Sequence, residues 1–407
     1  MLQPNVQTLD TRESWCIATI ALIILAFSFG APWIGVVALK AIAADTGGLR
    51  SVPALASALA WFGSGFGGIL MGRLADRFGV RWTVMFGAVM IAVGLAIASL
   101  GARWQLYLGH GLFIGLMGLA GINAPLFVYV SKWFERRRGS ALALISSGGY
   151  IAGAVWPLLF ERSIALIGWR YTMLGYGVIA VAVIVPLAAI FLRSPPEYGS
   201  MTIAAHARAG PHRVLGWPPN LVFAMLAAAI FMCCVTMSMP QSHLVAFCMD
   251  LGISASHGAA MLSVLLGTAF ISRQIWGLIA DNIRGLNTVL IGSAAQAVTM
   301  TAFLLTQDEA GLFTVAAAFG LGFSGLIPAY VLAVRDLFPV REASWRIPVL
   351  LLCSGSGMAT GGWLAGVMYD HYGFYAPAFA TGIGFNLLNF AVVAILVARQ
   401  RWAARQD

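Results

Sequence analysis

One cation stands where hydrocarbon is expected. Residues 265–281, LLGTAFISRQIWGLIAD, form an apolar run that Arg273 interrupts near its middle. A guanidinium in a bilayer costs roughly 2.5–3.5 kcal/mol on insertion scales, so it needs a wet cavity, a partner or both. All fifteen acids read as loop or span-end residues, and none is placed to neutralise it. A desolvated cation without a partner must hold water or an anion. Its planar fork of donors matches a carboxylate in two-point fashion. The competing reading is a structural Arg whose donors cap helix carbonyls. His243, in Pro240-Gln241-Ser242-His243, is another titratable group inside an apolar run. It suits proton binding, or it is a neutral ring bonded to a neighbour. Asn123, Tyr150, Ser324, Tyr330 and Asn386 are further polar residues in apolar segments. Each can line a cavity or hydrogen-bond between helices.

Other chemistries lack their residues. No HExxH, GxSxG or phosphate-binding loop occurs, so neither an enzyme nor a nucleotide-driven pump is expected. The five cysteines show no metal-ligand spacing and read as small polarisable core residues. No cofactor or metal is expected. The net charge of +9 sits in short loops between apolar spans, which argues against a nucleic-acid partner.

The elements that must position these residues are membrane helices. The chain has 407 residues, 60% hydrophobic and 10% charged, too apolar for a water-soluble fold. Twelve spans are expected: 15–42, 51–73, 82–101, 105–130, 139–161, 171–192, 219–248, 257–280, 287–306, 311–334, 347–369 and 374–398. Residues 15–39 are too long for a signal-peptide core and follow Asp10 and Glu13, so they read as the first span. Of the 24 Lys and Arg residues, eighteen fall in the even-numbered loops and the termini. Only Arg50, Arg103, Arg162 and Arg170 lie on the other side, and Lys40 and Arg273 lie inside spans. The positive-inside rule therefore places both termini in the cytoplasm. Lys40 is expected to snorkel from the outer end of its span.

Residues 193–218 form a Pro-, Gly- and polar-rich loop, containing His206 and His212 as solvated linker residues. It divides an N-terminal six-helix bundle, 1–192, from a C-terminal one, 219–407. The halves repeat weakly. Gly72-Arg73-Leu74-Ala75-Asp76-Arg77-Phe78-Gly79-Val80-Arg81 follows span two, and Gly277-Leu278-Ile279-Ala280-Asp281 follows span eight. Such repeats, with a site at their interface, are a common transporter design. Glycines cluster in spans two, four and eleven, where close packing or sliding needs them.

The decapeptide from Gly72 to Arg81 resembles the loop 2–3 signature of the major facilitator superfamily, and the likeness covers the whole chain. It implies an all-α, twelve-helix polytopic membrane protein in two pseudo-symmetric bundles. It also implies that Gly72, Arg73, Asp76, Arg77, Gly79, Arg81 and, in the second copy, Asp281 belong to a gating loop. A narrower likeness exists. Trp133-Phe134-Glu135-Arg136-Arg137-Arg138-Gly139 and Ser272-Arg273-Gln274-Ile275-Trp276-Gly277-Leu278 resemble helices 5 and 8 of monocarboxylate porters and oxalate–formate-type antiporters. That likeness implies Arg273 as the carboxylate ligand. The chain departs from this branch: Ala269 stands where the animal porters carry Asp, Trp33 where they carry Lys, and no cation lies near Cys353.

The resulting expectation is a secondary transporter of a small organic anion, a monocarboxylate by the resemblance, in the cell inner membrane. It would act as a monomer in membrane lipid, by proton symport or anion exchange. Arg273, His243, Asn123, Tyr150, Ser324, Tyr330 and Asn386 would contact substrate. The alternatives are an exporter of drug-like or cationic compounds and, from another class, a membrane ligand sensor without turnover.

Overall fold

The computed structural model describes residues 9–193 and 213–403; His206 and His212 lie outside them. Helices account for almost all of the described chain, and its one β-bridge joins Val214 to Trp217. In chain order they are α1 (Arg12–Ser28), α2 (Gly30–Val37), α3 (Leu39–Asp45), α4 (Ser51–Phe78), α5 (Val80–Ser99), α6 (Arg103–Tyr107), a π-helical segment (Leu108–Leu119), α7 (Ala120–Ser131), α8 (Arg138–Ser146) and α9 (Gly148–Phe191). The second part holds α10 (Pro219–Asp250), α11 (Ala255–Ile283), α12 (Gly285–Leu305), α13 (Glu309–Phe323), α14 (Leu326–Leu337), α15 (Val340–Tyr372) and α16 (Ala376–Ala403).

Among the described residues ten helical stretches are long and apolar enough to cross a membrane. An eleventh is Ser51–Gly68 with Leu70–Phe78, bent by 50°. The twelve expected spans differ from this count at one place. Ser140–Phe191 is a single 52-residue stretch, which at 1.5 Å per residue is about 78 Å of helix, more than twice the hydrocarbon thickness. Its backbone leaves the helical region at Gly168 (φ 79°, ψ 164°), a conformation open chiefly to glycine.

Large apolar side chains stand outward along the helices, among them Leu166, Val178, Leu278, Val298 and Leu305. A water-soluble protein would not carry so much exposed apolar surface. The chain is a multi-pass membrane protein.

Lipid supplies no hydrophobic drive between helices, so close approach supplies the contact. A Cβ on Gly63 would stand 2.5 Å from the Gly111 carbonyl oxygen, and one on Gly94 would stand 2.6 Å from that of Gly109. These glycines let α4 and α5 pack on the π-helical segment. The main neighbours of α10 are α15 and α16, while α11 packs on α13 and α12 on α16. Two seams join the first part of the chain to the second: α4 against α15, and α9 against α11.

The weak repeat is visible in the backbone. Gly79 (φ 87°, ψ 150°) links α4 to α5, and Arg284 (φ 67°, ψ 165°) links α11 to α12. Each lies three residues after the Asp of its loop, Asp76 or Asp281, and each turns the chain in the same way.

Candidate functional site

Arg273 sits on the α9–α11 seam. Its neighbours Ser272 and Trp276, one turn apart, both donate to the Leu321 carbonyl of α13, at 2.5 and 2.8 Å. They pin one face of α11 inside its own part of the chain. Arg273 stands about 100° around the helix from Ser272 and turns toward α9. Its guanidinium lies over the Tyr150 ring, 5.2 Å from the centroid. Tyr150 in turn packs against Phe323 at the end of α13, with ring centroids 6.2 Å apart. Gly153 and Ala154 of α9 approach Leu266 and Gly267 of α11 on the same seam. Arg273 is half-buried and forms no ion pair among the described residues. Arg273 has five N–H donors, more than one aromatic neighbour can occupy, so donors remain for an anion.

The other residues expected at the site have varied surroundings. Asn123 is half-buried on α7. Ser324 is buried just past α13, and its hydroxyl has no partner among the described residues. Tyr330 donates to the side-chain oxygen of Asn389. Asn389 donates to Ser293 at 2.9 Å, and Asn386 donates to Gln296 at 3.2 Å. All five are buried, and together they fasten α12, α14 and α16. Tyr330 and Asn386 thus do the interhelical bonding that was weighed against substrate contact. Phe29 stacks on Trp61 at 6.0 Å, Trp156 donates to the Ala26 carbonyl at 2.9 Å, and Trp33 packs near Gly153.

His243 is fully buried and engaged at both nitrogens. Nε2 lies 2.8 Å from the Gly362 carbonyl, which can only accept, so that nitrogen carries the proton. Nδ1 therefore accepts from the Tyr375 hydroxyl at 2.9 Å. Tyr375 also accepts from Arg50 Nη1 at 2.8 Å. The ring belongs to a cluster at the ends of the spans, separate from Arg273.

Sequence reasoning missed that cluster, having taken Arg50 as a loop residue, the acids as loop or span-end residues and Lys40 as a snorkelling side chain. Arg50, 6% exposed, grips both oxygens of Asp250 at 2.5 and 2.6 Å. Its guanidinium lies 3.5 Å from the centre of the Tyr369 ring. Lys40, expected to snorkel, instead pairs with Asp250 at 2.9 Å. Asp370 accepts from the backbone N–H groups of Arg50 and Ser51 at 2.7 and 2.9 Å, capping α4. Residues 40–51 come from the first part of the chain, and 250 and 370–375 from the second. This face is therefore sealed by charge-assisted bonds between the two parts. One signal was available: an Arg and two Asp residues at span ends, all on the face otherwise poor in cations.

The opposite face differs. Arg73, Asp76, Arg77, Gly79 and Arg81 are exposed, Gly72 is half-buried, and the charged members make no ion pair among the described residues. Asp281 lies in the last turn of α11. Asp10 accepts from the backbone N–H groups of Glu135, Arg136 and Arg137 at 3.2, 2.9 and 3.0 Å. The Arg136 N–H above all holds its carboxyl below the usual range.

A family profile described as the Major Facilitator Superfamily matches residues 18–307. The chain is 24% identical over 287 residues to "MFS-type transporter 1" of Ophiocordyceps sp. (strain BCC 1869), covering 69% of this chain and 61% of that protein. It is also 24% identical over 262 residues to "Agnestins efflux protein AgnL12" of Paecilomyces divaricatus, covering 63% of this chain and 58% of that protein. The chain thus spans about three fifths of the length of these two relatives. A crystal structure of a bacterial homologue of the human lysosomal transporter Spinster, inward-facing and unoccupied, superposes with a TM-score of 0.69. It has 16% identity and covers 96% of each chain. At that identity the likeness speaks to fold alone.

Proposed function

The chain belongs to the Major Facilitator Superfamily, and we propose that it is a secondary transporter moving a small organic anion, a monocarboxylate in class, across the inner membrane by alternating access. One observation carries this reading. Arg273 is a half-buried cation on the seam between the two parts of the chain, and among the described residues it has no carboxylate partner. A substrate carboxylate completes it, bound in two-point fashion with the Tyr150 ring beside the guanidinium.

The architecture follows from the same reading. Ser140–Phe191 is two spans turning at Gly168, and the bent pair Ser51–Gly68 with Leu70–Phe78 is one. Twelve spans result, in bundles 1–192 and 219–407 joined by the loop 193–218. The cation bias places the termini in the cytoplasm, so the Arg50–Asp250 cluster closes the outer side and the conformation faces inward. Proton symport would run through His243, whose Nδ1 already accepts from a hydroxyl of the outer seal; anion exchange needs no such group. Alternating access requires the seal to break and the loop bearing Asp76 to engage.

The test is uptake into proteoliposomes together with a thermal-shift screen against small carboxylates at acidic and neutral pH. A carboxylate that binds the native state raises the melting midpoint by mass action, and Arg273→Gln removes both that shift and uptake while the protein stays folded. Full uptake by Arg273→Gln refutes the assignment. A second reading, export of drug-like compounds, is favoured by the relative named as an efflux protein. It replaces the first if an amine or neutral compound stabilises the chain and no carboxylate does.

A further inference from the structure

A second histidine is buried among the helices. His110 lies in the π-helical segment and is 1% exposed. Its Nδ1 stands 3.1 Å from the Leu106 carbonyl, which can only accept, so that nitrogen carries the proton of the neutral ring. Nε2 is then an acceptor, and it has no partner among the described residues. A buried polar atom without a partner calls for a reason. π-helical turns are rare, and they recur at functional sites.

The weak repeat shows that the fold itself does not require a histidine here. The register that pairs Asp76 with Asp281 and Gly79 with Arg284 also holds inside the bundles. A Cβ on Gly115 would run into the Ala60 carbonyl, and one on Gly320 into the Leu265 carbonyl. In that register Val315 stands for His110 and Leu262 for Ser57, and both are buried. The second copy fills these positions with apolar side chains. In the first copy they are polar, and they converge on a glycine. Where a Cβ on Gly35 would stand, Ser57 Oγ is 3.2 Å away and His110 Nε2 is 3.7 Å away. Gly35 of α2, Ser57 of α4 and His110 thus enclose one niche.

No acid is placed beside this niche. α2 carries no titratable group. Those of α4 are Arg73, Asp76 and Arg77 at its far end, α5 has only Arg81 in its first turn, and α7 has only Tyr129 near its end. On the same helical rod Tyr107 and Arg103 precede His110, and Arg103 donates to the Thr46 carbonyl at 2.8 Å. The niche is joined to the seal through both of its walls. Lys40 follows Gly35 along the chain and Arg50 precedes Ser57, and these are the two cations that hold Asp250. A movement that parts the seal therefore pulls on both walls.

Of the two buried rings, His243 cannot take a proton at Nδ1 without displacing the Tyr375 hydroxyl. His110 offers a nitrogen that no group among the described residues engages. We infer that His110 is a proton-binding residue of the transport cycle. Nε2 takes a proton from the outer side when the seal parts, and the new N–H of the imidazolium faces the Ser57 side of the niche. It gives the proton up once the seal closes, because a buried cation without an acid partner is costly. This rests on the proton-symport reading and adds a site in the first bundle to His243 in the second.

Ring nitrogen-15 NMR of the full chain in lipid nanodiscs, labelled at histidine, reads this proton directly and needs no substrate. The chain has six histidines, and the signal lost in His110→Gln is that of His110. Between pH 7.5 and pH 5 that ring is expected to pass from the Nδ1–H form to the doubly protonated form. In proteoliposomes, His110→Gln is expected to keep carboxylate exchange and to lose accumulation driven by a pH gradient, by about fivefold or more. His110→Val, which installs the residue of the second copy, is expected to do the same, and it separates loss of the proton from loss of packing. A ring that stays neutral down to pH 5 overturns the inference, and carboxylate binding that depends on Arg273 would then stand without it. Accumulation by both variants at the native level also overturns it. A titrating His110 in a chain that binds no carboxylate keeps the proton site and refutes the anion reading instead.

Discussion

Replacing Asp250 by Asn should loosen one face of the protein without unfolding it. The Asp250 carboxylate accepts from Lys40 Nζ at 2.9 Å and from both terminal nitrogens of Arg50 at 2.5 and 2.6 Å. All three bonds cross between the two parts of the chain, so they exist only while that face is sealed. Breaking a buried pair by removing one partner costs about 3–5 kcal/mol. Here the Arg50 side chain is 8% exposed but Asp250 is 22% and Lys40 is 32%, so water screens part of the interaction. Asn also keeps one acceptor. A loss of about 2–3 kcal/mol is expected, which raises the ratio of open to sealed molecules by roughly 30- to 150-fold. Ala359 reports it. It is 7% exposed on α15, between Gly355 and Gly366, which both face α4. In a Cys16→Ser/Cys353→Ser background, the alkylation rate of Ala359→Cys tracks the fraction of molecules in which the seam has parted. Asp250→Asn should raise that rate by the stated factor. Asp45→Asn should not, because Asp45 bonds Arg170 and Trp169 at 2.7 and 3.0 Å within the first part of the chain. A rate unchanged by Asp250→Asn in folded protein would refute the seal.

Three further outcomes are expected. Arg284 holds a backbone conformation that is almost restricted to glycine, at a cost of about 1–3 kcal/mol. Arg284→Gly should therefore raise the melting midpoint in detergent, and Gly79→Arg should lower it. Tyr330→Phe leaves a buried Asn389 oxygen without its donor and should cost about 1–3 kcal/mol; a thermal melt shows the loss while the carboxylate binding proposed at Arg273 persists. Asp10 ties the N-terminal segment to the backbone of residues 135–137, and its carboxyl is held below 3.8, chiefly by the Arg136 N–H. A depressed carboxyl stabilises above its unfolded value and stops doing so only as pH falls through the folded one. Hydrogen exchange at Glu135–Arg137, corrected for intrinsic rate, should thus show unchanged protection from pH 7 to pH 5, and Asp10→Asn should abolish much of it at both.

The fold was legible because hydropathy and charge act on whole segments. Residues 265–281 needed no neighbour to read as a span, and the cation bias accumulates over many loops. Arg273 stood out as a candidate for the same reason: an Arg in an apolar run is costly wherever it points, and so it draws attention to itself. Tyr330 and Asn386 carried no such mark. Polar groups of their size are satisfied as readily by a neighbouring helix as by a substrate, and which one they meet depends on helix rotation, which one sequence does not encode locally. His243 shows the same limit more sharply. Its type suits proton transfer, yet its partners, Tyr375 and the Gly362 carbonyl, are more than a hundred residues away in sequence. The seal at Arg50 and Asp250 was hidden by a category. Charges at span ends are expected in any membrane protein, and only their pairing across the two parts gives them a role. The repeat points to where such pairings concentrate. Where the two copies agree, as in the backbone turns at Gly79 and Arg284, the chain is meeting a demand of the fold.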